Sequence, residues 1–129
     1  MKIKLLNAFL LFAFALTFAA VTSADGVNKR LRFARGKSST VVSGAVIRGD
    51  RDTFTVGAKS GQTMSVKITS TENNAVFQIQ DADGNFLAGA DEGDDAKRWS
   101  GELPSNGDYK IIVGGTRGNA TYKLTVSIK

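Results

Sequence analysis

LPSNGDYKIIVGGTRGNATYKLTVSI, Leu103–Ile128, holds two alternating runs joined by a glycine-rich link. In the second run Tyr122, Leu124, Val126 and Ile128 alternate with Thr121, Lys123, Thr125 and Ser127. The first repeats the pattern with Tyr109, Ile111 and Val113. A period of two places all the apolar side chains on one face, which is the mark of a strand with one side buried. Between the runs lies GGTRGN, Gly114–Asn119, which the pattern predicts as the tip of a closing hairpin.

The same period extends toward the N-terminus. Met64, Val66 and Ile68 form one apolar row, and Ala75, Phe77 and Ile79 another. Weaker strand signals cover Leu31–Phe33, Thr40–Ile47, Asp52–Ala58 and Lys97–Leu103. RGD at Arg48–Asp50, KSGQ at Lys59–Gln62, DADGN at Asp81–Asn85 and SNGD at Ser105–Asp108 are turn chemistry, each between two such runs. No window after the N-terminal segment keeps helical spacing. About eight short strands, each apolar on one face, predict an all-β fold, a single antiparallel β-sandwich. Residues 25–29, DGVNK, read as a loose tail.

The N-terminal segment reads differently. Lys2 and Lys4 precede an uncharged apolar run, and TSA, ending at Ala24, offers small residues for cleavage. This is a signal peptide over residues 1–24, with the sandwich domain over 25–129. The alternative is an uncleaved anchor helix, but the apolar run is marginal against the ~20 residues a span needs. The chain has no cysteine, so an exported domain must be held by pairing and packing without disulfides. That combination points to a periplasmic or secreted protein. Without its first 24 residues the chain keeps 15 basic and 12 acidic side chains, a net charge of +3. The basic side chains Lys29, Arg30, Arg32, Arg35 and Lys37 cluster near the start, and the acids Asp81, Asp83, Asp91, Glu92, Asp94 and Asp95 in the middle. A nucleic-acid binder wants one basic face with stacking aromatics, which this layout lacks.

Chemistry is narrowed by absence. With no histidine and no cysteine, His-based and Cys-based nucleophiles and the usual zinc ligands are excluded. A pair of carboxylates across a cleft needs more wall than a small sandwich offers. The protein is therefore not expected to be an enzyme, nor to need a cofactor or a metal. DADGN resembles part of a calcium loop, and Glu92 stands at its twelfth position, but the intervening FLAGA supplies no oxygen ligands at the required offsets. A hairpin turn is the better reading. RGD is a turn before it is an adhesion motif, and LPSNG lacks the threonine of a sorting signal. Asn119–Thr121 spells a glycosylation sequon. Trp99 reads as a core anchor whose indole N–H finds a backbone partner, with a carbohydrate platform as the alternative. Tyr109, just past a tight turn, suits a tyrosine corner.

Arg117 resists such a reading. Gly114, Gly115 and Gly118 raise it away from the sheet, and a guanidinium is the group best shaped for two-pronged contact with a carboxylate. The plainer alternative is a solubilising charge at a loop tip.

RFARGKSSTVVSGAVIRGDRDTFTVGAKSGQTMSVKITS, followed by LPSNGDYKIIVGGTRGNATYKLTVSIK, resembles the periplasmic inhibitors of goose-type (g-type) lysozyme. The shared frame is F-x-x-G-x-S-S, an S-G strand, D-x-[FY], A-x-x-G-Q and LPxxGxY. More loosely the chain resembles the pre-peptidase C-terminal β-sandwich domains of secreted bacterial peptidases. The first resemblance implies an eight-stranded sandwich that blocks the lysozyme cleft with surface loops. Its TRxxA element maps onto Thr116, Arg117 and Ala120. Arg117 is then expected to meet the enzyme's acidic centre, with Thr116, Gly118 and Asn119 shaping the loop and Arg51 as a secondary contact. The loop is shorter here and carries one arginine, and Asp50, Arg51 and Asp52 stand where the family has tyrosines. The second resemblance implies a non-catalytic carbohydrate- or surface-binding module. A calcium-dependent structural domain built on Asp81–Asp95 is a third reading.

Overall fold

The computed structural model describes residues 26–129, so the predicted signal peptide and its cleavage site lie outside the described residues. Eight strands follow in order: β1 Asn28–Arg30, β2 Ser39–Val46, β3 Asp52–Ala58, β4 Thr63–Ser70, β5 Ala75–Gln80, β6 Arg98–Glu102, β7 Gly107–Gly115 and β8 Ala120–Ile128. They form two four-stranded sheets, β1-β3-β7-β5 and β2-β8-β4-β6. Among the described residues no helix occurs. The predicted all-β sandwich is the fold.

Successive strands alternate between the two sheets from β1 to β8. This corrects the hairpin expected at the C-terminus. β7 pairs with β3 and β5, while β8 pairs with β2 and β4. Thr116–Asn119 therefore crosses from one sheet to the other. Packed sheets lie ~10 Å apart, a gap that four residues can span at ~3.3 Å each. Period-two alternation reports which face of a strand is buried, not which strand it pairs with. Asp81–Asn85 does make the predicted hairpin turn: Asp81 N–H donates to the Asn85 carbonyl at 2.8 Å, and Gln80 bridges to Phe86.

The N-terminal expectations also change. Residues 25–29 are not a loose tail over their described part, and the strand is Asn28–Arg30, not Leu31–Phe33. β1 runs parallel to β3, unlike every other strand pairing in the two sheets. Thr53 N–H donates to the Val27 carbonyl, and Leu31 N–H to the Thr55 carbonyl, each at 2.8 Å. Leu31 is buried, which anchors the end of the strand. Arg30 and Asp108 then form a two-pronged ion pair, 2.8 and 3.1 Å, above Gly57 of the intervening β3. The hydrogen bonds from Arg30 hold the Asp108 carboxyl below its ordinary range.

The alternating residues meet between the sheets. Phe54, Val56, Phe77, Ile79, Ile111 and Val113 of one sheet face Met64, Val66, Leu124 and Val126 of the other, all almost fully buried. Phe54 meets Tyr122 edge-to-face, centroids 6.4 Å apart. Tyr109 makes the predicted corner: its hydroxyl donates to the Ser105 carbonyl at 2.7 Å and accepts the Ser105 N–H at 3.1 Å. Trp99 sits at the rim of the core, half-buried, with its indole N–H donating to the Ala88 carbonyl at 2.9 Å. A Cβ on Gly101 would stand 2.8 Å from the indole ring, so glycine is needed opposite Met64 for the ring to lie over the strand.

Candidate functional site

Three short connections meet at one end of the sandwich: Ile47–Arg51 after β2, Thr71–Asn74 after β4, and Thr116–Asn119 after β7. Asn74 is buried and fastens the last of them. Its side-chain amide donates to the Asn119 carbonyl at 3.0 Å and to the Arg117 carbonyl at 3.4 Å. Its own carbonyl accepts the Thr116 N–H at 2.9 Å and the Thr116 hydroxyl at 3.4 Å. Ser70 fixes Asn74 in turn, since its hydroxyl accepts the N–H groups of Asn74 and Ala75. A buried asparagine whose side-chain N–H groups and backbone carbonyl are all used is a rigid mount for a loop.

The loop closes tightly on itself. Gly118 has φ of 74°, the left-handed region that glycine occupies without a steric penalty. A Cβ on Gly115 would stand 2.5 Å from the Gly118 carbonyl oxygen, so Gly115 is required for the backbone to approach that closely. Asn119 reaches sideways, its side-chain oxygen accepting the Arg48 N–H at 2.7 Å, and this ties the loop to the turn after β2. Thr116, Gly118 and Asn119 are thus parts of one frame.

Arg117 is exposed at the crest of that frame. Its Nη2 donates to the Glu72 carbonyl at 3.0 Å, so the guanidinium rests on the turn after β4. Arg51 is exposed on another side of the same end, its Nη1 3.4 Å from Gln78 Oε1 and its stem passing over Gly114. It lines a depression of about 300 Å³ together with Asp50, Gln78, Asp95 and Thr116. The end of the sandwich therefore brings Arg51 and Thr116 to one depression and places Arg117 beside it, with its guanidinium directed to the neighbouring turn.

Two exposed residues of this end carried no sequence signal of their own. Arg48 was absorbed in a turn tripeptide, and Ile47 is 62% exposed although it ends an apolar run. Asn74 was equally silent, because one asparagine of an Asn-Asn pair in a turn is unremarkable until it is seen to be buried. The acidic segment is a different matter. Asp81 accepts the N–H groups of Asp83 and Asn85, and Asp94 accepts that of Asp91, so these carboxylates shape their own turns. Ala90 and Ala96 receive N–H donors from Ile79 and Phe77, which lays the segment along the free edge of β5. Among the described residues no three acidic side chains gather into a metal-binding group.

No family model matches the chain. An inhibitor of g-type lysozyme from Escherichia coli K12 is 31% identical across 100% of this chain and 98% of its own length. The crystal structure of Aeromonas hydrophila PliG, a periplasmic inhibitor of g-type lysozyme, superposes with a TM-score of 0.71 at 32% identity, covering 82% of this chain and all of that one. PliG of Salmonella Typhimurium gives 0.64 at 25% identity over 81% of this chain and 99% of its own. The pre-peptidase C-terminal domain of a Bacillus anthracis collagenase shares the fold at a TM-score of 0.56 and 20% identity, over 84% of this chain and all of its own. With that identity across both full lengths and a sandwich of the same shape, the chain belongs to the family of inhibitors of g-type lysozyme.

Proposed function

We propose that this protein is an exported, periplasmic inhibitor of g-type lysozyme that acts by occlusion, without catalysis. Residues 1–24 direct export and are removed after Ala24. The observation that carries the reading is the 31% identity to an inhibitor of g-type lysozyme over the whole of this chain and 98% of that one. The three-loop end is the surface that enters the enzyme's cleft. Arg117 contacts the acidic centre there, because a guanidinium matches a carboxylate with two parallel hydrogen bonds. Thr116, Gly118 and Asn119 hold the loop in shape, a role favoured by the bonds of Thr116 to Asn74 and of Asn119 to Arg48 and by the left-handed φ of Gly118. Arg51 is a second cation on the same end. Ile47 offers exposed apolar area in the same connection, the kind of anchor that interface centres favour.

The test is clearing of bacterial cell walls by a purified g-type lysozyme as the protein is added. Near-stoichiometric suppression is expected. An unchanged clearing rate at a large molar excess of the protein rejects the reading.

A further inference from the structure

The outward residues of the sheet β2-β8-β4-β6 fall in rows that run straight across it. Ser39 lies opposite Ser127, Ser127 opposite Ser65, and Ser65 opposite Ser100, so one row of serines spans all four strands. The Ser65 and Ser100 hydroxyls are 3.1 Å apart. The next row reads Val41, Thr125, Lys67 and Arg98, and the one beyond it Ser43, Lys123 and Thr69. Lys67, Arg98 and Lys123 are all exposed.

Nothing in the fold asks for these cations. Lys67 and Arg98 stand directly opposite each other in an antiparallel pair, an arrangement in which like charges destabilise the sheet. Glu102 is the one acid in these four strands, and it sits two rows from that pair, beyond the serines. Among the described residues none of the three cations forms an ion pair. A shallow depression of about 300 Å³ opens over the spot, lined by Ser65, Lys67, Arg98, Ser100, Thr125 and Ser127 together with Val66 and Trp99 of the inward rows. Strand spacing of ~4.8 Å repeats these side chains at regular intervals across the face. Uncompensated positive charge beside regular rows of hydroxyls calls for a partner that is anionic, extended and itself rich in hydroxyls.

We propose that this face binds an acidic polysaccharide. Carboxylates along the glycan meet Lys67, Arg98 and Lys123, and its hydroxyls exchange hydrogen bonds with the serine row, each serine being both donor and acceptor. A nucleic acid strand fits less well, because the outward rows hold no aromatic side chain for bases to stack on, and Trp99, which borders the depression, lies on the inward side of β6 with its indole N–H bonded to the Ala88 carbonyl. The serine row lies toward the end of the sandwich opposite the three loops, since Ser127 is near the close of β8 and Thr116–Asn119 precedes its start. The glycan and a protein at the loop end can therefore be held at once, and the proposal stands independently of lysozyme inhibition.

Affinity electrophoresis through gels containing polygalacturonate at low salt tests this, with fully methyl-esterified polygalacturonate as the uncharged counterpart. The wild-type protein is expected to be retarded by the acid and not by the ester. The Lys67→Ser/Arg98→Ser double variant should bind at least tenfold more weakly while its Tm is unchanged or raised, because a like-charge pair is removed. Absence of retardation overturns the proposal, as does equal affinity for the ester or undiminished binding by the double variant. Equal retention by duplex DNA also overturns it, since that is attraction to any polyanion.

Discussion

The hydroxyl of Tyr122 donates a 2.6 Å hydrogen bond to the carboxylate of Asp52, joining the two sheets through the core from β8 to β3. The other Asp52 oxygen accepts the Val27 N–H at 2.8 Å, so one buried carboxylate also holds the segment leading into β1. Room for the phenol comes from Gly44, where a Cβ would stand 2.6 Å from the Tyr122 oxygen. Asp52 is 1% exposed, and a carboxylate withdrawn from water to that extent depends on its donors.

Tyr122→Phe is accordingly expected to destabilise the fold by about 2 kcal/mol, within the range for hydrogen bonds to charged groups. Thermal or urea unfolding measures it, and a loss under about 0.5 kcal/mol would show that the carboxylate finds another donor. The pH dependence has a definite sign. Burial, then the hydrogen bond to Asp52 and its charge, push the Tyr122 phenol well above its ordinary 10.0. The unfolded chain releases that proton first, so the stabilisation is complete below about pH 10 and fades as pH rises further. The gap between wild type and Tyr122→Phe should narrow above pH 10. A gap that widened there would contradict the assignment.

Asn74 makes a different prediction, because it touches no partner. Asn74→Ala removes the donor to the Asn119 and Arg117 carbonyls and leaves both groups without it. A loss of about 1–3 kcal/mol is expected from unsatisfied polar groups. Inhibition should weaken several-fold as well, since a loosened loop must be ordered on binding. Hydrogen exchange at Thr116 reads the loop directly, for its N–H donates to the Asn74 carbonyl. Unchanged protection there would mean the loop does not depend on Asn74.

How much of this was legible in the sequence follows from what periodicity encodes. Alternation in Tyr122–Ile128 and Tyr109–Val113 gave the strands and their buried faces, and the burial of those residues agrees with it. Pairing was not legible, because a four-residue link suits a hairpin and a crossing between sheets equally well. β1 was missed because Asn28–Arg30 is polar throughout and exposed at every position, so it carries no period at all. It is a strand only because β3 offers a free edge. At the candidate site the glycines and Arg117 stood out, whereas Asn74 did not, since its role lies in burial and in partners more than 40 residues away.

Arg51 and Arg117 should fail in different ways. Arg51 lies in an open depression beside Asp50 and Asp95, where a charge steers approach and is screened by salt. Arg51→Ala is expected to weaken inhibition by about three- to tenfold, mostly through slower association, with the difference shrinking as salt is raised. Surface plasmon resonance against g-type lysozyme at two salt concentrations separates the rates. A loss confined to dissociation would place Arg51 in the desolvated centre instead.

Arg117→Ala should weaken inhibition by about 30-fold or more, the size of a ~2 kcal/mol interface hot spot, and mainly by faster dissociation. Among the described residues the guanidinium makes one hydrogen bond within the free protein, to the Glu72 carbonyl. That group lies on an exposed turn where water replaces the donor, so the Tm of the variant should stay within a degree or two of wild type. Arg117→Lys is the informative companion. It keeps the charge and loses the planar fork, so a two-pronged contact with a carboxylate predicts a loss nearly as large as that of alanine. Recovery of most of the affinity by lysine would mean that charge alone matters. Full inhibition by Arg117→Ala would remove Arg117 from the contact and leave Arg48, Arg51 and Ile47 as the residues to be tested next.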